Sequence, residues 1–193
     1  TSFYKHQAGQ RMYWDIPSAS YKALPGQEHF ITLANRKENI IWKNSGTNLY
    51  DLGDGVLNLE FKTKMNSIGG EVLEGINHAI SKAEDEGWKG LVLGNDASNF
   101  SAGANLAMIL MLAVEQEYDE LDLAIRQFQQ TAMRVRHSSI PVVTGPHGMT
   151  LGGGCEITMH SDAALASAET YIGLVEVGAG VIPILQQRLH TIG

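Results

Sequence analysis

The residues best equipped for chemistry are Leu151-Gly152-Gly153-Gly154-Cys155-Glu156 and, twenty positions after that glutamate, Glu176. A glycine triplet running straight into an apparent helix leaves backbone N–H groups uncovered at the helix's positive end. Orphan amides and the helix dipole both favour an oxygen anion there. One carboxylate within a turn of such a site, with a second able to fold back beside it, is acid/base equipment. Taken singly, the triplet is also a tight turn, Glu156 a helix-start carboxylate stabilised by the dipole, and Glu176 a loop charge.

The elements that must position these groups alternate between strand and helix. Gly53-Asp54-Gly55 reads as a tight turn and Val56–Phe61 as the strand that follows. Asn66 is placed to cap a helix running to about Glu86, with Ile68, Val72, Leu73, Ile76 and Ile80 on one stripe. Gly87 ends it, and Gly90–Gly94 is a short apolar run of the buried parallel-strand kind. After a loop over 95–103 come an Ala/Leu/Met-rich helix from about Ala104 and an amphipathic helix from Glu117 to about His137. Ile140–Thr144 reads as a strand, the segment after the glycine triplet as a helix to about His160, and Ala163–Ala166 as another strand. This alternation is the signature of an α/β fold.

Residues 1–45 differ: Tyr4, Tyr13, Trp14, Tyr21, Phe30 and Trp42 follow no helical or strand period, and Pro17, Pro25 and Gly26 interrupt any long element. The segment reads as an irregular arm or linker, bounded at Asn44–Asn48, with the core over 46–193.

A chain of 193 residues with 44% hydrophobic content can build one sizeable core. A formal charge of -7, without a Lys/Arg stripe, argues against a nucleic-acid partner. Cys155 is the only cysteine, so no intrachain disulfide forms, which suits a reducing cytoplasm. No stretch approaches the roughly 20 apolar residues of a membrane span, and Thr1–His6 lacks the charge-then-apolar pattern of a signal peptide. The absence of an initiator Met suggests a piece of something longer. His147 and His160 bracket the triplet, but no third ligand stands at metal spacing, so no metal is expected. Cys155 reads as a small packed residue, and Met108 and Met111 as helix packing.

Phe100–Leu106, Ile140–Val143, Leu151–Ile157 and Ile172–Pro183 together resemble the crotonase (enoyl-CoA hydratase/isomerase) superfamily, over roughly residues 50–193. Phe3–Lys5, Tyr50–Val56 and Glu60–Asn66 narrow this to the hydratase region of prokaryotic fusions with a 3-hydroxyacyl-CoA dehydrogenase. The resemblance implies a spiral core of repeated ββα units, truncated at the C-terminus, and an acyl-CoA thioester as substrate. No cofactor is implied for this chain, with NAD expected only at the absent dehydrogenase region, where the parent chain would be the partner. Glycines 173, 178 and 180 lack dinucleotide-fingerprint spacing.

By the family's pattern the backbone N–H groups of Ala102 and Gly153 form an oxyanion hole for the thioester enolate, and such donors stabilise charge without reorganising. Glu156 would orient and deprotonate the water that attacks C3, and Glu176 would deliver the proton to C2. Gly103, Ala104, Asn105 and Lys64 are weaker substrate-contact candidates; Asn105 stands where many relatives carry Asp, and Lys62 and Lys64, which could meet CoA phosphates, read more readily as lysines of a solvated face. Beyond Pro183 the family's glycine-rich loop looks shortened, and its further helices, which build a trimer, are missing, so a homo-oligomer remains only a family expectation. Both glutamates favour a hydratase; the alternatives are an enoyl-CoA isomerase or a catalytically silent acyl-CoA-binding or assembly module.

Overall fold

The structure is a computed structural model, and it describes residues 2–7, 10–26 and 31–180. Near the start, β1 (Tyr4–Gln7), β2 (Gln10–Asp15) and β3 (Ser20–Ala23) form an antiparallel sheet of their own. The arm expected to be irregular therefore holds strands. Trp14 and Tyr21 face each other in the register and meet edge to face at 5.0 Å. Lys22 pairs with Asp15 at 2.7 Å in the same ladder. Cross-strand pairs stabilise a small exposed sheet without any hydrophobic period, which is why spacing gave no sign of it.

The boundary also moves. β4 (Ile40–Lys43) pairs with β5 (Thr47–Gly53), so the main sheet starts inside the expected arm. Residues just before β4 are tied down too. Arg36 donates to Leu52 O at 3.0 Å, Asn39 to Asp51 O at 3.1 Å, and Leu33 is buried.

From β5 the chain turns through Gly53-Asp54-Gly55, all three at positive φ, into β6 (Val56–Phe61). α1 (Gly70–Asp85) and β7 (Gly90–Leu93) follow, then α2 (Leu106–Val114), α3 (Tyr118–Arg136) and β8 (Val142–Thr144). β9 (Met149–Leu151), α4 (Gly153–His160), β10 (Ala163–Ala164) and β11 (Tyr171–Gly173) complete the described chain. A six-stranded sheet runs in the order β10-β8-β7-β6-β5-β4, parallel from β10 to β6 and antiparallel beyond; β9 and β11 form a separate parallel pair.

The core lies between the main sheet and two helices. Leu49, Leu57, Leu59, Leu91 and Leu93 meet Val72, Ile76, Ala79 and Ile80 of α1, and Phe128, Ala132 and Val135 of α3 close the same cluster. Each fully buried aliphatic side chain of this kind contributes about 1.5–3 kcal/mol. At the far end of α1, Glu84 accepts from Arg134 Nη1 at 2.9 Å and from Ser139 N at 2.8 Å, locking α1 to α3.

α1 starts at Gly70, later than expected, and Asn66 does not cap it. Asn66 belongs to a tight turn over Lys64–Asn66, where Met65 and Asn66 are both left-handed at φ 54 and 51. Its side-chain amide donates instead to Asn99 O at 3.0 Å. The shortened loop inferred after Pro183 lies outside the described residues.

Candidate active site

The site is built around the start of α4. β9 ends at Leu151 and is followed by Gly152, whose φ of 49 and ψ of −120 suit glycine and few other residues. α4 begins at the next residue, so Glu156 lies in its first turn, and it is only 2% exposed. Beside β9 runs β11, with Gly173 opposite Leu151, and Gly152 N–H donates to Gly173 O at 2.9 Å. This ladder returns the chain over the α4 N-terminus, where the short turn Glu176–Ala179 follows. Glu176 is buried, and a β-carbon on Gly152 would stand 2.8 Å from its Oε1 and 3.3 Å from its Cδ.

The two carboxylates expected to cooperate are thus brought to one place. Both act on the buried Cys155 thiol: burial pushes its pKa up first, and the charges of Glu176 and Glu156 push it further. Among the described residues Glu176 Oε2 is buried with no hydrogen-bond partner from the protein.

The other side of the site comes from the loop after β7. Ser101 N donates to Met149 O at 3.1 Å and Leu151 N to Ser101 O at 2.9 Å, so this loop is laced to β9. Gly103 sits at φ 90 against the glycine triplet; a β-carbon there would be 3.1 Å from Gly153 N.

The Ala102 amide expected as a donor is already committed, to Met65 O at 3.1 Å. The amide facing α4 is instead that of Ala104, whose N lies 3.5 Å from the position a β-carbon would take on Gly153. Among the described residues, the N–H groups of Ala104 and Gly153 donate to no protein acceptor. Two adjacent unspent amides, one at a helix start, suit an oxyanion.

Beside Ala104 opens a cavity of about 350 Å³ between α2 and α3, walled by Ile68, Leu73, Met108, Leu112 and Phe128. Phe128 reaches from α3 to the triplet, since a β-carbon on Gly153 would meet its ring at 2.7 Å. Asn105, also expected near substrate, caps α2 by accepting Met108 N–H at 3.3 Å. Lys64 is exposed on the turn that precedes α1 and takes part in no ion pair among the described residues.

His147 lies away from the carboxylates, with Nε2 2.7 Å from Ala97 O, and His160 Nδ1 is 2.8 Å from Glu156 O. No group of three His, Cys, Asp or Glu among the described residues is placed to hold a metal ion. No helix among them is long and apolar enough to cross a membrane.

This geometry has company among known proteins. Residues 52–192 match the family model described as enoyl-CoA hydratase/isomerase. The chain belongs to that family. An enoyl-CoA hydratase of Thermoplasma volcanium has a similar structure, at a TM-score of 0.64 and 25% identity over 75% of this chain and 59% of that one. The α/β crotonase fold is therefore shared.

In sequence the family member is 44% identical, over 94% of its length, to a probable 3-hydroxyacyl-CoA dehydrogenase of Bacillus subtilis. It is 34% identical, over 77% of its length, to a putative fatty acid oxidation complex trifunctional enzyme of Rickettsia prowazekii. It spans only 23% and 20% of these two relatives.

Proposed function

We propose that this chain adds water across the 2,3-double bond of an enoyl-CoA thioester, giving the 3-hydroxyacyl-CoA of fatty-acid β-oxidation. The observation that carries the reading is the seat of Glu176 against Gly152, at the start of the helix that holds Glu156 and the unspent Gly153 amide. Two carboxylates and an anion site at one helix start are what a hydration needs and a passive binder does not.

In this reading the thioester carbonyl oxygen accepts from Ala104 N–H and Gly153 N–H, with the acyl tail in the cavity beside Ala104. Glu156 takes a proton from water as its oxygen bonds to C3. The double-bond electrons move to C2 and the charge collects on the carbonyl oxygen, where the amides stabilise it. Glu176 delivers a proton to C2, so atoms and charge balance without a redox step or a metal. Removal of one oxyanion donor from such a site costs about two to three powers of ten in rate.

The names of the relatives support a wider reading, in which the chain is the hydratase region of a longer polypeptide whose 3-hydroxyacyl-CoA dehydrogenase part consumes the product; that reading carries with it a cytoplasmic location and NAD as the dehydrogenase part's cofactor. Exposed Lys64, on the turn beside the loop of Ala102 and Ala104, is suited to a CoA phosphate.

The test is hydration of crotonyl-CoA by the full-length protein, followed as loss of the conjugated enoyl absorbance, beside Glu156→Gln and Glu176→Gln. Loss of rate by orders of magnitude in both variants supports the reading. A protein that binds the thioester and leaves it unchanged overturns it.

A further inference from the structure

Ser101 is fully buried and touches three parts of the candidate site without facing the cavity itself. Its hydroxyl donates to Asn66 O at 2.7 Å and accepts the Gly103 N–H at 3.0 Å. Its β-carbon lies under α4, where a β-carbon added at Gly154 would approach it to 2.8 Å. The first contact holds a turn with left-handed Met65 and Asn66, a conformation that persists only when its surroundings support it. The same turn's Met65 O receives the Ala102 amide.

The direction of the Ala104 amide follows from these ties. In a trans peptide the carbonyl and the following N–H point opposite ways. Gly103 O is held by Ile68 N–H at 2.8 Å, so the Ala104 N–H is turned away from Ile68. The peptide on the other side of Gly103 is held by Ser101 Oγ. Gly103, at φ 90, is free to swing unless both flanking peptides are fixed, and Ser101 supplies one of the two fixings.

Resting on the hydratase reading, we propose that the Ser101 hydroxyl is the positioning group that sets the Ala104 and Gly153 amides at the spacing an enolate oxygen requires. It acts through the loop and through the helix it underlies, and touches no reacting atom. Small misplacements of such donors are costly, and a shift near 1 Å can lower a rate about 100-fold.

The experiment compares the full-length protein with Ser101→Ala in two assays. The first separates kcat from KM for crotonyl-CoA hydration, per folded molecule. The second follows the absorbance of a slow-reacting aryl-enoyl-CoA, whose conjugated band moves to longer wavelength when donors polarise its carbonyl. The expected result is a kcat lowered about 10- to 100-fold with KM within about threefold, and a band shift largely lost although the ligand still binds.

Ser101→Cys, close in size but a weak hydrogen-bonding group, is expected between the two. A full band shift and unchanged kcat in Ser101→Ala, with the unsubstituted protein active, overturns this inference alone. No band shift and no hydration in the unsubstituted protein overturns both it and the hydratase reading.

Discussion

The Oε1 of Glu176 rests against the α-carbon of Gly152, so close that a β-carbon there would stand 2.8 Å from it. The absent side chain serves two needs at once. It permits the φ of 49 that turns β9 into α4, and it leaves the space in which the carboxylate sits.

Gly152→Ala is therefore expected to hurt twice. The backbone strain costs about 1–3 kcal/mol of stability, and the displaced Glu176 lowers hydration by two powers of ten or so, a loss in the range of a misplaced catalytic group. Thermal unfolding and kcat of the variant check this, and a variant with normal kcat would show that Glu176 is not pinned at Gly152.

Cys155 reports the same pair of carboxylates. Burial and the charges of Glu176 and Glu156 hold its thiol above the ordinary range. Glu176→Gln removes one of those charges, so the thiol should titrate lower than in the unsubstituted protein, while burial keeps it from becoming ordinary. The pH dependence of its alkylation measures this; an unchanged profile would separate Glu176 from the thiol.

Glu84 predicts an acid limb of stability. Its bonds from Arg134 and then Ser139 lower its pKa from 4.5 to about 2. A depressed carboxyl stabilises the fold above its unfolded value and loses that contribution as pH falls through its folded one. Glu84→Gln should thus cost about 1 kcal/mol at neutral pH, a modest sum because the pair is partly exposed. The difference from the unsubstituted protein should vanish as pH approaches 2, and denaturant unfolding across that window tests it.

Ile76 is fully buried between α1 and the main sheet. Ile76→Ala should cost about 2–5 kcal/mol through lost burial and a residual cavity. Hydration per folded molecule should stay unchanged, because Ile76 touches neither the amides nor the carboxylates; a fall in kcat would tie the core to the chemistry.

Much of this architecture was legible in residue spacing, and the exceptions have physical reasons. α1, α3 and β6 carry hydrophobic periods and β7 is a short apolar run, and the structure has all four close to where that patterning lies. β5 was missed because its non-core side chains are polar and also buried. Asn48 and Tyr50 both donate to Glu60 Oε2, at 3.0 and 2.7 Å, and burial, then the bond to Glu60, pushes the Tyr50 pKa up to about 12. β9 and β11, at three residues each, are too short to show a period.

The glutamates were visible in the motif. The motif points to the Ala102 amide and the structure turns that of Ala104 toward α4 instead, because peptide direction is set by partners such as Met65 O and Ile68 N rather than by residue type. Ser101 carried no signal of its own, since a buried hydroxyl and an exposed one read alike in a sequence.

The brief ladder between β9 and β11 has a consequence for how the site is wired. The amides proposed to receive charge belong to a helix start and a loop sunk against the core, whereas Glu176 lies in the turn after a three-residue strand whose Tyr171 and Ile172 are open to solvent. On the hydratase reading, charge stabilisation and proton delivery are thus mounted on separate supports, the second on the shorter and more exposed one.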